Sequence, residues 1–354
     1  MQMSICPARP SEDLHRLAAR FALQSPAAVL LFVSVLAVSA SARGGEAAAE
    51  AYPNPLQKAV AQELDLTRWE TDKGVDEIVP LPDGKGNAAV HYARLRELYK
   101  EDRKEGSNAV RLDAKGLSEI LAGAKLADCS LAPDHFPPME TFRPETVHPV
   151  IFLAYADALV KAANKAELAM RAAEAERYLR ALIVLGWHLT EDRPDIGVYS
   201  LGLTLQAKGV GALEKFATRQ MDMPRANRCR DYRKFLFGIM KAVAYKSKFL
   251  LGKWEDFRSL YACAVCAEQD ADPVWRQEAA VNLGVLQNGW PSTNGETWNT
   301  DAAQQARARE ALQRMANEDP VPSIRVLAKW CLDTMTPDKI REWREASQRP
   351  PAAP

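Results

Sequence analysis

The chain is 354 residues long, 47% hydrophobic and 26% charged, with 46 basic side chains against 46 acidic ones. Those proportions exclude collagen-like, disulfide-dense and broadly disordered classes and suit one large or two modest globular domains. Zero net charge also removes the whole-molecule electrostatic argument for nucleic acid or an acidic membrane, so only a local basic face is left to consider.

Arg9, Arg16 and Arg20 precede an uncharged stretch from Phe21 to Ala42, whose apolar heart is Ala27–Val38. That heart is about 12 residues, the length of a secretory h-region and short of the roughly 20 that a spanning helix needs. Gln24, Ser25 and Pro26 interrupt the longer alternative, and Ala40-Ser41-Ala42 supplies the small residues a signal peptidase requires. Residues 1–42 therefore read as a signal peptide cleaved after Ala42. The protein is expected to be exported, periplasmic or extracellular, with a retained N-terminal membrane anchor as the competing reading. Losing the leader removes Arg9, Arg16, Arg20, Glu12 and Asp13 and leaves 43 basic against 44 acidic residues. Five cysteines remain (Cys129, Cys229, Cys263, Cys266 and Cys331), an odd number too sparse for a disulfide scaffold, and their pairing is open.

Residues 43–86 are rich in Ala, Glu, Pro and Gly, with a short helical stretch at Pro55–Leu66 and a turn cluster at Pro82–Gly86; they read as a loosely ordered lead-in. Helical periodicity begins at Asn87, a good N-cap, and runs to about Glu105 with Val90, Leu95, Leu98 and Tyr99 as its apolar members. Further helices are predicted over about 113–127, 147–168, 172–189, 196–218, 228–251, 254–268, 273–287, 301–317, 322–334 and 337–346. No run of alternating strand character stands out. Within Ala172–Leu189, residues Ala175, Tyr178, Leu182, Leu185 and Leu189 recur at steps of three and four and make one apolar stripe on a helix about 27 Å long. Gly197, Gly202, Gly209 and Gly211 weaken the following helix intrinsically and permit a neighbouring backbone to come close. The predicted fold class is all-α: an array of antiparallel helix pairs, as an α-solenoid or an irregular helical bundle. A helical domain spans 87–270, repeats span 271–346 and a disordered tail spans 347–354.

The repeats are visible as residues. Pro273, Trp275, Arg276, Ala279 and Leu283 match Pro322, Ile324, Arg325, Ala328 and Leu332 at identical spacings, with Asp272 and Asp319 just upstream of the prolines. Proline loses nothing at a helix start, and an acid there faces the positive helix end. This pattern, from Asp272 to about Trp343, resembles the HEAT repeat, whose helices often begin Asp-Pro with Arg, Ala and Leu following. The arginines are 49 residues apart, long for that family, and the excess is the loop Asn288–Thr300. The resemblance implies a helical stack used for binding, with Arg276 and Arg325 in structural polar contacts between repeats; it implies no catalysis. The Leu121–Cys129 and Tyr178–Leu213 stretches resemble uncharacterised exported helical proteins of planctomycete-type bacteria, which brings no activity with it.

Chemistry is mostly sought in vain. There is no phosphate-binding Gly-x-x-x-x-Gly-Lys-Ser/Thr loop, dinucleotide fingerprint, Gly-x-Ser-x-Gly elbow or His-Glu-x-x-His pair. His91, His135, His148 and His188 are dispersed, so no metal, cofactor or catalytic residue is assigned. Cys263-Ala-Val-Cys266 has dithiol spacing, but it falls late in a predicted helix, where the dipole opposes a thiolate; small core residues are the plainer reading. Asp128-Cys129, Asp134 and His135 gather a thiol, two acids and an imidazole in a polar connection, a Cys–His arrangement set against chance clustering. Trp290 and Trp298 could stack on a flat polar ligand or pin their loop to the helices.

From Arg219 to Lys253 ten basic residues meet only Asp222 and Asp231. Arg230, Lys234, Lys241 and Lys248 share one helix face, roughly opposite Leu236, Ile239, Val243 and Leu250. That face is either a solvated surface neutralised by acids on neighbouring helices or a docking strip for an anionic polymer, surface or protein partner. The sequence thus points to an exported, non-catalytic helical-repeat protein acting as an interaction module or scaffold. The alternative is an α-helical hydrolase or lyase using paired carboxylates in a groove.

Overall fold

The structure is a computed structural model that describes residues 60–70, 74–104, 114–130, 149–192, 195–250, 257–288, 290–291, 298–299 and 301–339. The leader, the fragment Asp134–His135 and the tail lie outside the described residues. What is described is mostly helical. In chain order it runs β1 (Gly84–Asn87), α1 (Ala89–Lys104), α2 (Ala114–Gly123), β2 (Leu126–Asp128), α3 (Pro149–Leu168), α4 (Ala172–Asp192) and α5 (Ile196–Arg219). It continues with α6 (Met223–Leu250), α7 (Phe257–Gln269), α8 (Pro273–Leu286), β3 (Trp290–Pro291), β4 (Trp298–Asn299), α9 (Ala302–Glu318) and α10 (Pro322–Thr334).

Three departures from the sequence reading have simple causes. The helix expected to run to 127 stops at Gly123, and Leu126–Asp128 pairs in parallel with Gly84–Asn87. Strands of three and four residues, one with two glycines, are too short to alternate visibly. The α6 helix starts at Met223 rather than near 228, because Asp222 accepts from the Arg225 amide and caps a first turn that reads as polar connection. Finally, Leu95 is buried as expected, but Val90 is exposed and Tyr92 is buried in the stripe instead. Part of the lead-in also packs: Val60, Leu64, Val75, Ile78 and Val79 belong to the same continuous core as the helices.

The central layer is α3, α4, α5 and α6, with α4 against α5 as its most extensive contact. Gly186 and Gly202 explain that closeness. A Cβ on Gly202 would stand 2.7 Å from the Gly186 carbonyl oxygen and 2.9 Å from the Thr190 amide nitrogen, so the two backbones touch where no side chain fits. A buried polar relay crosses the same junction: the Gln206 amide donates to Thr190 Oγ1 at 2.8 Å and Tyr232 donates to Gln206 Oε1 at 2.7 Å. The relay joins α4, α5 and α6 by satisfying both the amide nitrogen and the amide oxygen of Gln206, which makes burial of the amide tolerable.

The two C-terminal segments whose residues match in sequence also make some matching bonds. Arg276 donates to the Asp270 carbonyl at 2.7 Å, and Arg325 donates to the Asp319 carbonyl at 2.6 Å; the Asp270 carboxylate accepts from the Asp272 amide and that of Asp319 from the Val321 amide. These matched bonds make Asp270 the counterpart of Asp319, correcting the pairing of Asp272 with Asp319. Asp272 is instead the N-cap of α8. Arg276 also reaches across to Asp319 with Nε at 2.8 Å, and Lys246 of α6 pairs with Asp270, so two buried cations each meet an acid that lies later in the chain. Lys246 further donates to the Asp65 carbonyl at 2.7 Å and lies between Trp275 and Trp69, 4.7 and 5.2 Å from their ring centres. One lysine thereby fastens the lead-in to α6 and α8. Leu283 is fully buried, whereas its counterpart Leu332 is only partly so.

Two interhelix turns share an unusual build. Where α3 gives way to α4, the Met170 amide donates to Glu167 O and the Arg171 amide to Ala166 O; where α5 gives way to α6, Met221 donates to Thr218 O and Asp222 to Ala217 O. Both are Schellman turns with methionine in the left-handed position, at φ 59° and 61°, where glycine is the usual residue and a Cβ costs about 1–2 kcal/mol.

Candidate functional site

The groove of interest runs between α3, α5 and α6 and has a volume of about 600 Å³. Its floor is one face of α5: Thr204, Ala207, Lys208, Gly211, Ala212, Lys215 and Arg219 recur at helical spacing. Val160 and Asn164 form the α3 wall, and Arg233, Phe237 and Met240 form the α6 wall. Gly211 matters through space rather than backbone freedom, since a Cβ there would stand 3.0 Å from Arg233 Nη1 and displace that guanidinium from the floor.

Four cations and no carboxylate line the groove. Acids outside the lining hold three of them in place. Lys208 pairs with Asp157, Arg219 grips Glu167 through two bonds of 2.8 and 2.6 Å, and Arg233 lies 3.0 Å from Glu214. The Arg219 hydrogen bonds hold the Glu167 carboxyl below its ordinary range, against a weaker opposing effect of burial. Lys215 is exposed and has no carboxylate partner among the described residues. Such a groove can cradle an anionic, partly apolar segment against Phe237, Met240 and Ala207; it offers no paired acid and base.

The strip of Arg230, Lys234, Lys241 and Lys248 is exposed, and Leu236, Ile239, Val243 and Leu250 are buried behind it. The strip follows the outer edge of the α6 wall, one helical stripe away from Arg233 and Met240. Arg230 bonds Glu214 at 3.0 Å and Lys234 bonds Asp231 at 3.1 Å, whereas Lys241 and Lys248 have no carboxylate partner among the described residues. Elsewhere in the basic stretch Arg219, Arg225, Arg233 and Lys246 pair with acids on or beside neighbouring helices. Trp290 and Trp298 belong to a two-residue antiparallel ladder in which Trp290 faces Asn299 and Pro291 faces Trp298.

Cys263 and Cys266 lie in the second half of α7, fully buried, and desolvation pushes both thiols well above the ordinary range. All five described cysteines are free thiols. Among the described residues no group of three His, Cys, Asp or Glu side chains is placed to hold a metal ion, and no helix is long and apolar enough to cross a membrane.

Two titratable arrangements escape the sequence. His188 donates from Nε2 to the Leu126 carbonyl at 2.8 Å, which leaves Nδ1 to accept from the Tyr92 hydroxyl at 2.7 Å. Burial lowers the His188 pKa to about 4, overriding the opposite pull of the Leu126 bond. Glu278 of α8 is raised to about 7 by burial, with Asp195 adding a like charge, while its bond to Asn282 opposes the shift. Asp195 is committed as the N-cap of α5, accepting from the Val198 amide at 2.7 Å. Neither acid lines the groove. The groove cations Lys208, Lys215 and Arg219 were also missed, although their spacing of seven and four places them on one face; apolar neighbours in a glycine-rich helix conceal the signal.

Comparison of the chain with protein-family models, with curated proteins and with solved structures finds no match.

Proposed function

We propose that the protein is an exported, non-catalytic helical-repeat scaffold that binds an acidic segment of a partner protein in the α3–α5–α6 groove. The lining carries this reading: four cations, three of them held by acids outside the lining, no lining carboxylate, and apolar contacts from Val160, Ala207, Phe237 and Met240 suit a partly apolar, negatively charged helix or strand. Lys241 and Lys248, exposed and with no carboxylate partner among the described residues, extend the positive edge beyond the groove. A hydrolase or lyase of the paired-carboxylate kind would need two acids facing each other there. The HEAT-like part of the proposal is supported by the matched Asp270–Arg276 and Asp319–Arg325 bonds and by the Arg276–Asp319 pair between them.

The test is fluorescence anisotropy of an amphipathic Glu- and Leu-rich helical peptide over a salt series. Binding should weaken as salt rises, and the double variant Lys215→Glu, Phe237→Ala should bind about tenfold more weakly or worse. Equal affinity for wild type and variant would remove the groove from the proposal.

A further inference from the structure

The two Schellman turns lie side by side: Glu167, three residues before Met170, is bonded by Arg219 and Gln220, which immediately precede Met221. At this one end of the helical layer Leu168 is 87%, Met170 91% and Met221 82% exposed, and Met223 is also exposed. Four large apolar side chains thus project from two adjacent tips. The two methionines stand at left-handed positions that glycine would occupy without strain, so the fold retains these side chains against its own conformational preference. Around the tips Lys165 and Arg228 are exposed with no carboxylate partner among the described residues. Of the acids nearby, Glu167, Glu174 and Glu176 are bound by Arg219, Arg171 and Arg225, and Asp222 caps α6.

We infer that this end of the molecule is a docking tip for an anionic phospholipid surface, with Leu168, Met170, Met221 and Met223 entering the interfacial layer and Lys165 and Arg228 meeting headgroup charge. Protruding apolar tips with unpaired cations at their rim match the layering of a bilayer, apolar below and anionic above. Two of the four residues stand in the turns and two at the helix ends flanking them, Leu168 closing α3 and Met223 opening α6, so they form a projection rather than the wall of a groove. The tip is separate from the groove reading, and either can fail alone.

Co-sedimentation of the protein as isolated from the cell with vesicles of phosphatidylglycerol and phosphatidylcholine tests this. Wild type should bind the anionic vesicles, bind pure phosphatidylcholine much less, and release as salt rises. The double variant Met170→Gly, Met221→Gly relieves both strained positions. It should melt about 2–4 °C higher or more while binding about tenfold more weakly, so its lost binding cannot be ascribed to unfolding. Lys165→Glu with Arg228→Glu should weaken binding to anionic vesicles alone. Absence of wild-type binding to anionic vesicles, or equal binding by the glycine variant, would overturn the inference; the second result would transfer membrane binding to another surface such as the α6 strip.

Discussion

His188, fully buried, and Glu278, half-buried, show how two residues can give the fold opposing pH dependences. His188 is neutral in the fold, with a pKa of about 4 against 6.5, so an unfolded chain takes up its proton first and stability is lost as pH falls from 6.5 towards 4. Protonation would also leave Nδ1 donating into the Tyr92 hydroxyl that now donates to it. Glu278 is held protonated to about pH 7 against 4.5, so its contribution is complete below 4.5 and is lost as pH rises to 7. Each effect is at most on the order of 3 kcal/mol, and between about pH 4.5 and 6.5 they nearly cancel. Denaturant unfolding across that window should show Glu278→Gln losing stability on acidification relative to wild type. His188→Phe should lose it as pH rises. Difference curves flat across the window for both variants would refute the assignment.

At the scale of elements, the contact between α4 and α5 rests on absent side chains. Gly202→Ala gains up to about 1 kcal/mol of helix propensity but drives a methyl into the Gly186 carbonyl and Thr190 amide, neither of which can swing aside. A net loss of about 1–3 kcal/mol is expected. Gly238 of α6 has nothing within 4 Å of its would-be Cβ, so Gly238→Ala should stabilise by up to about 1 kcal/mol. Urea melts of the two variants with unchanged m-values check both signs; stabilisation by Gly202→Ala would refute the close approach. These helices are also where the sequence speaks most clearly. Apolar spacing locates α4 and α5 to within a few residues, and the prolines locate the starts of α8 and α10. The β1–β2 ladder was illegible because its strands are too short to show a period. The groove was illegible for another reason: its walls come from helices distant in sequence, and a cation facing a groove reads the same as one facing water. Even the match between the two proline-led segments was read only in part, because Asp272 abuts Pro273 and draws the eye, while both the three-residue spacing to the proline and the hydrogen bonds select Asp270 as the counterpart of Asp319.

For the whole molecule, the balanced charge conceals an uneven distribution. Acids on α4 and α5 neutralise Arg225, Arg230 and Arg233 of the basic α6, and the α6 cations with no carboxylate partner among the described residues, Arg228, Lys241 and Lys248, lie near the tips and along its outer face. Export is the condition under which such surfaces would meet an envelope partner, and N-terminal sequencing of the native protein should begin at or near Arg43; a chain retaining residues 21–42 in the cytosol would contradict it. Export also bears on the free thiols. Cys229, Cys263, Cys266 and Cys331 are buried in three different helices, and burial raises the Cys229 thiol to about 11 and that of Cys331 to about 12. In oxidising surroundings a thiol hidden in this way is attacked only while its helix is open. For these four thiols the redox lifetime is therefore a kinetic property, set by how often α6, α7 and α10 breathe, whereas Cys129, only half-buried just after β2, lacks that protection.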